Sequence, residues 1–278
     1  MRALYLQRRT VGIKLESMEN RIYPMPLIGD KAPAFEADST QGKIRFPKDF
    51  KGKWVIFFSH PSDFTPICTT EFVLFGAMQE EFEALNCKLL GLSVGTNASH
   101  IAWMRSIRDR IEFKGHRHVA LRFPLIADMS MEVARMYGMI QPSASTTAAV
   151  RTVFFIDPAA TVRAVISYPM QLGRNFDELK RILVGLQTID RHHVALPADW
   201  CPGDDIVVPA PATYDGTDAS VEGMKCCDWY FCTRPLAETA KTPEEGGSKP
   251  FADRQEPAAR EPQKSGAAAK ERYPAETR

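Results

Sequence analysis

The 278-residue chain contains 44% hydrophobic and 25% charged residues, which is the composition of an ordinary globular protein. Its formal net charge of +1 gives no basic field of the kind that attracts nucleic acid or an anionic membrane. No apolar run reaches the roughly 20 residues that a membrane-spanning helix requires. We therefore expect neither a nucleic acid nor a membrane as a partner.

The N-terminal residues contain early arginines but lack the apolar stretch of a secretory signal. We interpret residues 1–24 as a flexible extension and expect a cytoplasmic protein. In a chain of this length without a signal, cysteines do not indicate a secreted disulfide framework. They are then core residues, metal ligands or reactive thiols, and the chain has six: Cys68, Cys87, Cys201, Cys226, Cys227 and Cys232.

Strand-like and helix-like patterns alternate through the first half of the chain. Apolar runs of β-forming residues predict strands, and apolar residues recurring every three or four positions predict helices. The predicted elements are a strand at Lys53–Ser59, a helix with an apolar face from Phe72 to Leu85, a strand at Cys87–Gly95, a helix over 97–111 capped by Thr96 or Asn97, a short strand at Phe123–Asp128, and a short helix between Ser130 and Gly138.

Two β-rich runs between residues 150 and 168 are separated by the turn sequence "DPAA" and predict an antiparallel hairpin. A helix over 175–190 follows, with Asn175 placed to cap it. This order predicts an α/β domain over residues 25–190, with a mixed sheet and helices on both faces.

The composition changes after residue 190. Residues 191–235 are rich in Pro and Asp, contain a cysteine cluster, and predict a small, irregular C-terminal domain. Residues 236–278 contain few large apolar side chains among many Ala, Glu, Lys and Pro. Such a segment buries too little apolar surface to offset its ordering entropy, so we predict a disordered tail.

Cys68 lies just beyond a Pro-rich bend, in the stretch "HPSDFTPICTTEF". Thr65 is a preferred N-cap residue, Pro66 suits the first helical position, and Cys68 then falls at the third. Free backbone N–H groups and the helix dipole favour an anion there, so the position favours a thiolate. The bend also follows a strand, at the edge where α/β folds keep their sites. On spacing alone, a buried structural cysteine is an equal alternative.

The same stretch resembles the active-site signature of the peroxiredoxins, P-x-x-x-T-x-x-C, with Pro61, Thr65 and Cys68 in register. Further similarity lies in "RTVFFIDP" and "GRNFDEL", and it extends over roughly residues 29–232. The His60-Pro61 pair and "PADW" favour the one-cysteine subfamily, which includes microbial thioredoxin-peroxidase-like members. The resemblance implies a thioredoxin-like fold and a thiol-dependent peroxidase for hydrogen peroxide and organic hydroperoxides, with no metal or organic cofactor.

The resemblance also implies roles for single residues. Cys68 would attack the peroxide and become a sulfenic acid, the reversible step of cysteine oxidation. Thr65 would offer its hydroxyl to the peroxide and the sulfur, and Pro61 would shield the pocket. Arg151 would stabilise the thiolate and the peroxide oxygens. From its position alone, an arginine that opens an apolar strand also requires an anionic partner.

His60 and Arg174 match positions that flank the substrate pocket in this subfamily. For His60, a hydrogen-bonded structural histidine is an equal interpretation. Arg174 is open to a second interpretation as a surface residue near a helix start.

The cysteine cluster "KCCDWYFC" resembles the C-x-x-x-x-x-C pair of similar microbial members, with Cys226 and Cys232 in register. The resemblance implies that Cys232 resolves the sulfenic acid of Cys68 across a subunit boundary and that Cys226 then exchanges with it. A thioredoxin-type or small-thiol reductant would reset the enzyme. Cys227 departs from the pattern and leaves the exchange partner open. The subfamily forms homodimers and often decameric rings of dimers.

Other functions fit the sequence less well. A zinc site in the cluster lacks spaced cysteine pairs or a nearby histidine. Cys87 lies in a predicted buried strand, and Cys201 has no evident role. The hydrolase-like pattern "GLSVG" around Ser93 has only three fixed positions and coincides with a predicted strand, so we reject it. A disulfide reductase would need a C-x-x-C on the first helix. A peroxide-responsive sensor or holdase, using the same sulfenic acid as a signal, stays open as the alternative function.

Overall fold

A computed structural model describes residues 25–210 and 223–236. The N-terminal extension predicted for residues 1–24 lies outside these ranges, and so do residues 237–278 of the tail predicted for residues 236–278. The described strands are β1 (Phe35–Ser39), β2 (Gly42–Phe46), β3 (Trp54–Ser59), β4 (Cys87–Ser93), β5 (Glu112–Phe113), β6 (His116–Arg117), β7 (Leu125–Ala127), β8 (Arg151–Ile156), β9 (Val162–Tyr168), β10 (Ile206–Val208), β11 (Lys225–Asp228) and β12 (Phe231–Arg234). The described α-helices are α1 (Pro66–Ala84), α2 (Asn97–Arg110), α3 (Glu132–Met136) and α4 (Phe176–His192).

Seven strands form one mixed sheet in the order β2-β1-β7-β4-β3-β8-β9. The inner strand β3 pairs in parallel with β4 and antiparallel with β8. All six residues of β3 are buried, as its continuous apolar sequence predicted. The strands β8 and β9 form the predicted antiparallel hairpin.

The sheet separates two apolar cores because side chains alternate along β3. Ile56 and Phe58 face a core that contains side chains of α1, α2 and α4. Val55 and Phe57 face the opposite core, which contains side chains of α3. Helices therefore cover both faces of a mixed sheet, which confirms the predicted fold class.

Local capping follows the sequence closely. The Thr96 side chain accepts a hydrogen bond from the Ser99 N–H at the start of α2. Asn175 accepts from Asp177 and Glu178 at the start of α4. The β1–β2 hairpin was not predicted, because polar residues interrupt the apolar alternation in both of its strands.

A separate sheet, in the order β10-β12-β11, lies in the C-terminal region. The Trp200 carbonyl accepts a hydrogen bond from Arg181 on α4, which ties the start of this region to the main domain. The boundaries that we assigned at residues 190 and 235 stay predictions. None of the helices in the described ranges is long and apolar enough to cross a membrane.

Candidate active site

The bend between β3 and α1 places Cys68 as the sequence predicted. Thr65 is the N-cap of α1, with extended backbone angles, and Pro66 begins the helix. Cys68 is thus the third helical residue, and its side chain is fully buried. The Thr65 hydroxyl donates to the Ser62 carbonyl at 2.9 Å, within the bend, rather than capping the helix. The hydroxyl would have to rotate in order to donate to a substrate.

Arg151 lies at the start of β8 and reaches the cysteine from the neighbouring strand. Its Nη1 lies 3.4 Å from the Cys68 Sγ and 2.6 Å from Glu71 Oε2. Its Nε and Nη2 donate to the Met170 carbonyl at 3.0 and 2.7 Å. The guanidinium is therefore fixed on two sides and presents one nitrogen to the sulfur. Glu71 is the anionic partner that the sequence required.

Glu71 joins the two arginines of the site. It lies on α1, three residues after Cys68, and only 2% of it is exposed. Its carboxylate accepts hydrogen bonds from Arg174 N and Nε at 2.9 Å and from Arg174 Nη2 at 2.7 Å. Burial acts to raise the pKa of Glu71, but Arg174 and Arg151 outweigh it and hold the pKa below its ordinary value. Two guanidiniums face one carboxylate, so a thiolate at Cys68 would balance the remaining positive charge.

Arg174 takes part in the site through Glu71. Its Nη2 also donates to the Ser59 carbonyl at 3.0 Å, and its guanidinium lies over the rings of Phe58 and Phe75. The side chain is buried, which excludes the surface interpretation. Its role in substrate binding stays a prediction.

His60 belongs to a second polar network behind the bend. The His60 Nε2 lies 3.1 Å from Asp63 Oδ1, and the His100 Nδ1 lies 2.7 Å from Asp63 Oδ2. Ser99 also donates to Asp63 at 2.6 Å. Burial lowers the pKa of His60, although Asp63 opposes this shift. Burial acts to raise the pKa of Asp63, but the hydrogen bonds from His100, His60 and Ser99 bring it well below its ordinary value. Asp63 thus ties the bend to the start of α2.

The remaining five cysteines differ in burial and bonding. Cys87 is buried, and burial raises the pKa of its thiol to about 12, as suits a core residue. Cys201 is half-buried. Cys226 and Cys232 form a disulfide across the β11–β12 hairpin, and Cys227 is a free, exposed thiol. In this structure, Cys232 is therefore bonded to Cys226 and not to Cys68.

Comparison with known proteins gives a consistent result. Residues 28–165 match the AhpC/TSA family, and residues 185–222 match the C-terminal domain of 1-Cys peroxiredoxin. A peroxiredoxin of Methanosarcina mazei is 52% identical over 76% of this chain and 98% of its own length. A peroxiredoxin of Aquifex aeolicus is 47% identical over 77% of this chain and 99% of its own length. The chain belongs to the peroxiredoxins.

Solved peroxiredoxin structures agree with this assignment. A yeast mitochondrial 1-Cys peroxiredoxin superposes with a TM-score of 0.66 at 34% identity, covering 76% of this chain and all of that one. A cysteine-to-serine mutant of peroxiredoxin 6 of Arenicola marina gives a TM-score of 0.67 at 32% identity, covering 76% of this chain and 99% of that one. As a peroxiredoxin, the protein has a thioredoxin-like fold and is a thiol-dependent peroxidase.

Sequence reasoning missed three residues of this peroxiredoxin's site. Glu71 is the carboxylate that both arginines share, and its only sequence signal was an acid three positions after the cysteine on a helix. Asp63 and His100 were also missed, because their contact joins residues 37 positions apart.

Proposed function

We propose that this peroxiredoxin reduces hydrogen peroxide and organic hydroperoxides at Cys68, with Thr65, Arg151 and Pro61 assisting. The observation that carries the proposal is the contact of 3.4 Å between Cys68 Sγ and a guanidinium nitrogen that Glu71 and Met170 hold in place. A donor that is fixed before the substrate arrives costs no reorganisation during the reaction.

In the first step, the Cys68 thiolate attacks one peroxide oxygen. An S–O bond forms while the O–O bond breaks, and the second oxygen leaves as hydroxide or alkoxide and takes up a proton. Negative charge spreads over the sulfur and both oxygens, and Arg151 lies where it can stabilise that charge. Thr65 supplies a hydroxyl after rotation, and the half-buried Pro61 shields the sulfur from water.

His60 and Arg174 act behind the reacting atoms in this proposal. Arg174 orients Glu71, which in turn orients Arg151. His60 holds the bend through Asp63, which supports the structural interpretation of this histidine. Contact of either residue with the peroxide is the further expectation that the family resemblance carries.

In the second half of the cycle, Cys232 of a neighbouring subunit attacks the Cys68 sulfenic acid, and water leaves. Cys226 then displaces Cys68 from the mixed disulfide. The Cys226–Cys232 disulfide is the product that this exchange would leave, which supports the order of events. A thioredoxin-type or small-thiol reductant then resets the pair. The yeast relative's thiols are resolved via glutathione/thioredoxin systems. The scheme requires at least a homodimer, and a decamer of dimers fits it equally.

A peroxide-consumption assay with thioredoxin and with dithiothreitol tests the first step. Wild type should consume peroxide with at least one of these reductants, and Cys68→Ser should show no more than background consumption. Stopped-flow oxidation of the wild type adds a second criterion. Slow attack followed by a persistent sulfenic acid would reject the peroxidase cycle proposed here and favour the sensor or holdase.

Non-reducing gels test the resolving thiol. After peroxide treatment and rapid alkylation, disulfide-linked dimers should appear in wild type and be absent in Cys232→Ser. Dimers that persist in Cys232→Ser but disappear in Cys226→Ser would reverse the roles of these two cysteines.

A further inference from the structure

Three sulfurs lie within seven residues in the β11–β12 hairpin, and the mechanism above uses only two. Cys226 and Cys232 are joined, whereas Cys227 carries a free, exposed thiol directly beside a disulfide sulfur in sequence. The inference that follows deepens the proposed function, since it concerns the partner of the resolving cysteine.

The pairing of the two strands brings Cys227 into the same part of the hairpin as the disulfide. Cys226 pairs with Cys232 and Asp228 pairs with Phe231, with an irregularity between the two pairs. Between these two pairs, β12 advances by one residue and β11 by two, so Cys227 is the extra residue of β11. In such a bulge, two consecutive residues of one strand face a single residue of the other. Cys227 therefore lies between the residue of β11 that pairs with Cys232 and the one that pairs with Phe231, next to Cys232's bonded partner.

We propose that Cys227 is a second exchange thiol, and that the disulfide of Cys232 can move between Cys226 and Cys227. In this step the Cys227 thiolate attacks the Cys232 sulfur. A Cys227–Cys232 bond forms as the Cys226–Cys232 bond breaks, and the electron pair of the broken bond stays on Cys226, which takes up the proton that Cys227 lost. The step is a disulfide isomerisation with no net oxidation.

The exposure of the three cysteines decides which sulfur an external thiol can reach. Only 9% of Cys232 is exposed, whereas Cys226 and Cys227 lie on an exposed strand. An external thiol therefore meets one of the two β11 sulfurs first. With two interchangeable sulfurs, the pair presents a reducible disulfide through either residue, and Cys226 is not uniquely required. The same exchange allows Cys227 to release Cys68 from its mixed disulfide with Cys232.

Disulfide mapping of Cys226→Ser tests the proposal without using the peroxidase reaction. The reduced variant is oxidised with diamide, free thiols are blocked with N-ethylmaleimide, and the protein is digested without reduction so that disulfide-linked peptides stay joined. Cleavage before Asp228 separates Cys227 from Cys232, so a joined pair of peptides identifies a bond between them. We expect peptides joined through Cys227 and Cys232 from protein that runs as a monomer on a non-reducing gel. Free Cys227 and Cys232 thiols in this variant, under conditions that fully oxidise wild type, would overturn the proposal.

Turnover measurements link the exchange to the cycle. Cys226→Ser should turn over at least about threefold faster than a variant that also lacks Cys227, because Cys227 remains as an exchange thiol. The double variant Cys226→Ser/Cys227→Ser should lose at least about tenfold and accumulate dimers linked through Cys68 and Cys232. Cys201→Ser, which removes a cysteine outside the hairpin, is the matched control. A single Cys226→Ser variant as slow as the double variant would reject a role for Cys227 in turnover.

The two proposals fail in different ways. If Cys232→Ser turns over as fast as wild type, the resolving role of Cys232 is wrong, although the diamide mapping still decides the exchange. If turnover depends on Cys232 but mapping finds no Cys227–Cys232 bond, the resolving scheme stands and the exchange proposal is wrong.

Discussion

The two sulfur sites of this peroxiredoxin are built in opposite ways. Cys68 is fully buried at the start of a 19-residue helix, beside two arginines that share one buried carboxylate. The Cys226–Cys232 disulfide joins β12 to β11, a four-residue strand whose residues are all exposed, next to the exposed rings of Trp229 and Tyr230.

The difference suits the role that we propose for each sulfur. Peroxide attack needs donors that are fixed before the substrate binds, because preorganised charge is what lowers the barrier. Thiol exchange needs access, because each step requires another sulfur to approach the disulfide. The buried site therefore fixes the geometry, and the exposed hairpin provides contact with other thiols.

The largest expected effect is a loss of peroxide reactivity when the fixed donor beside Cys68 is removed. Arg151→Met should lower kcat/KM for peroxide by about 10²–10³-fold, since loss of one preorganised donor typically costs that much. Single-turnover oxidation of the reduced protein measures the attack directly. The matched control is Arg163→Met, which removes an arginine paired with Asp190 rather than with the site. A loss of less than threefold in Arg151→Met would show that the guanidinium does not stabilise the transition state.

Glu71 should matter for both stability and rate. Glu71→Gln leaves two buried guanidiniums without their shared anion, and we expect a loss of about 3 kcal/mol in the free energy of unfolding. The attack rate should also fall, because Arg151 loses its orientation. Denaturant unfolding and single-turnover kinetics give the two values. Glu81→Gln is the control on the same helix, since Glu81 pairs with Lys180 at a less buried position. Equal effects of the two substitutions would contradict a special role for Glu71.

Cys232→Ser should separate the two sites kinetically. The first attack of peroxide on reduced Cys68 should stay within about twofold of wild type, because the buried donors are unchanged. Steady-state turnover should fall by at least about tenfold, since the sulfenic acid loses its resolving thiol. A stopped-flow burst followed by slow turnover is the expected signature. An equally slow first attack would mean that the hairpin shapes the peroxide site itself.

The smallest expected effect is a pH dependence from His60. Its folded pKa lies below the ordinary value of 6.5, so below that pH the unfolded chain binds more protons than the folded one. Stability should therefore fall as the pH drops from 6.5, with a slope of up to about 1.4 kcal/mol per pH unit from this group. Urea unfolding at pH 7.5, 6.5 and 5.5 should show a shallower slope in His60→Asn. The exposed His116→Asn serves as control, and identical slopes in all three proteins would contradict the assignment.

Short-range features were predictable from the sequence because their causes are local. The helix start at Thr65, the caps at Thr96 and Asn175, and the buried strand β3 all follow from residue types at fixed spacing. The position of Cys68 at the third helical residue belongs to this group. The β1–β2 hairpin escaped prediction because its pairing, rather than an apolar pattern, defines it.

The sequence by itself determined where the proposed nucleophile lies: a cysteine in the first turn of a helix, after a threonine and a proline. Only the tertiary structure decided what surrounds that sulfur. Glu71 contacts Arg151, 80 positions away in sequence, and Arg174, 103 positions away, and local residue preferences predict neither contact. The pairing of β3 with β8 brings Arg151 to the helix start, and the segment before α4 brings Arg174. These three side chains are buried, and their charges are paired because an unpaired ion inside the protein would cost too much free energy.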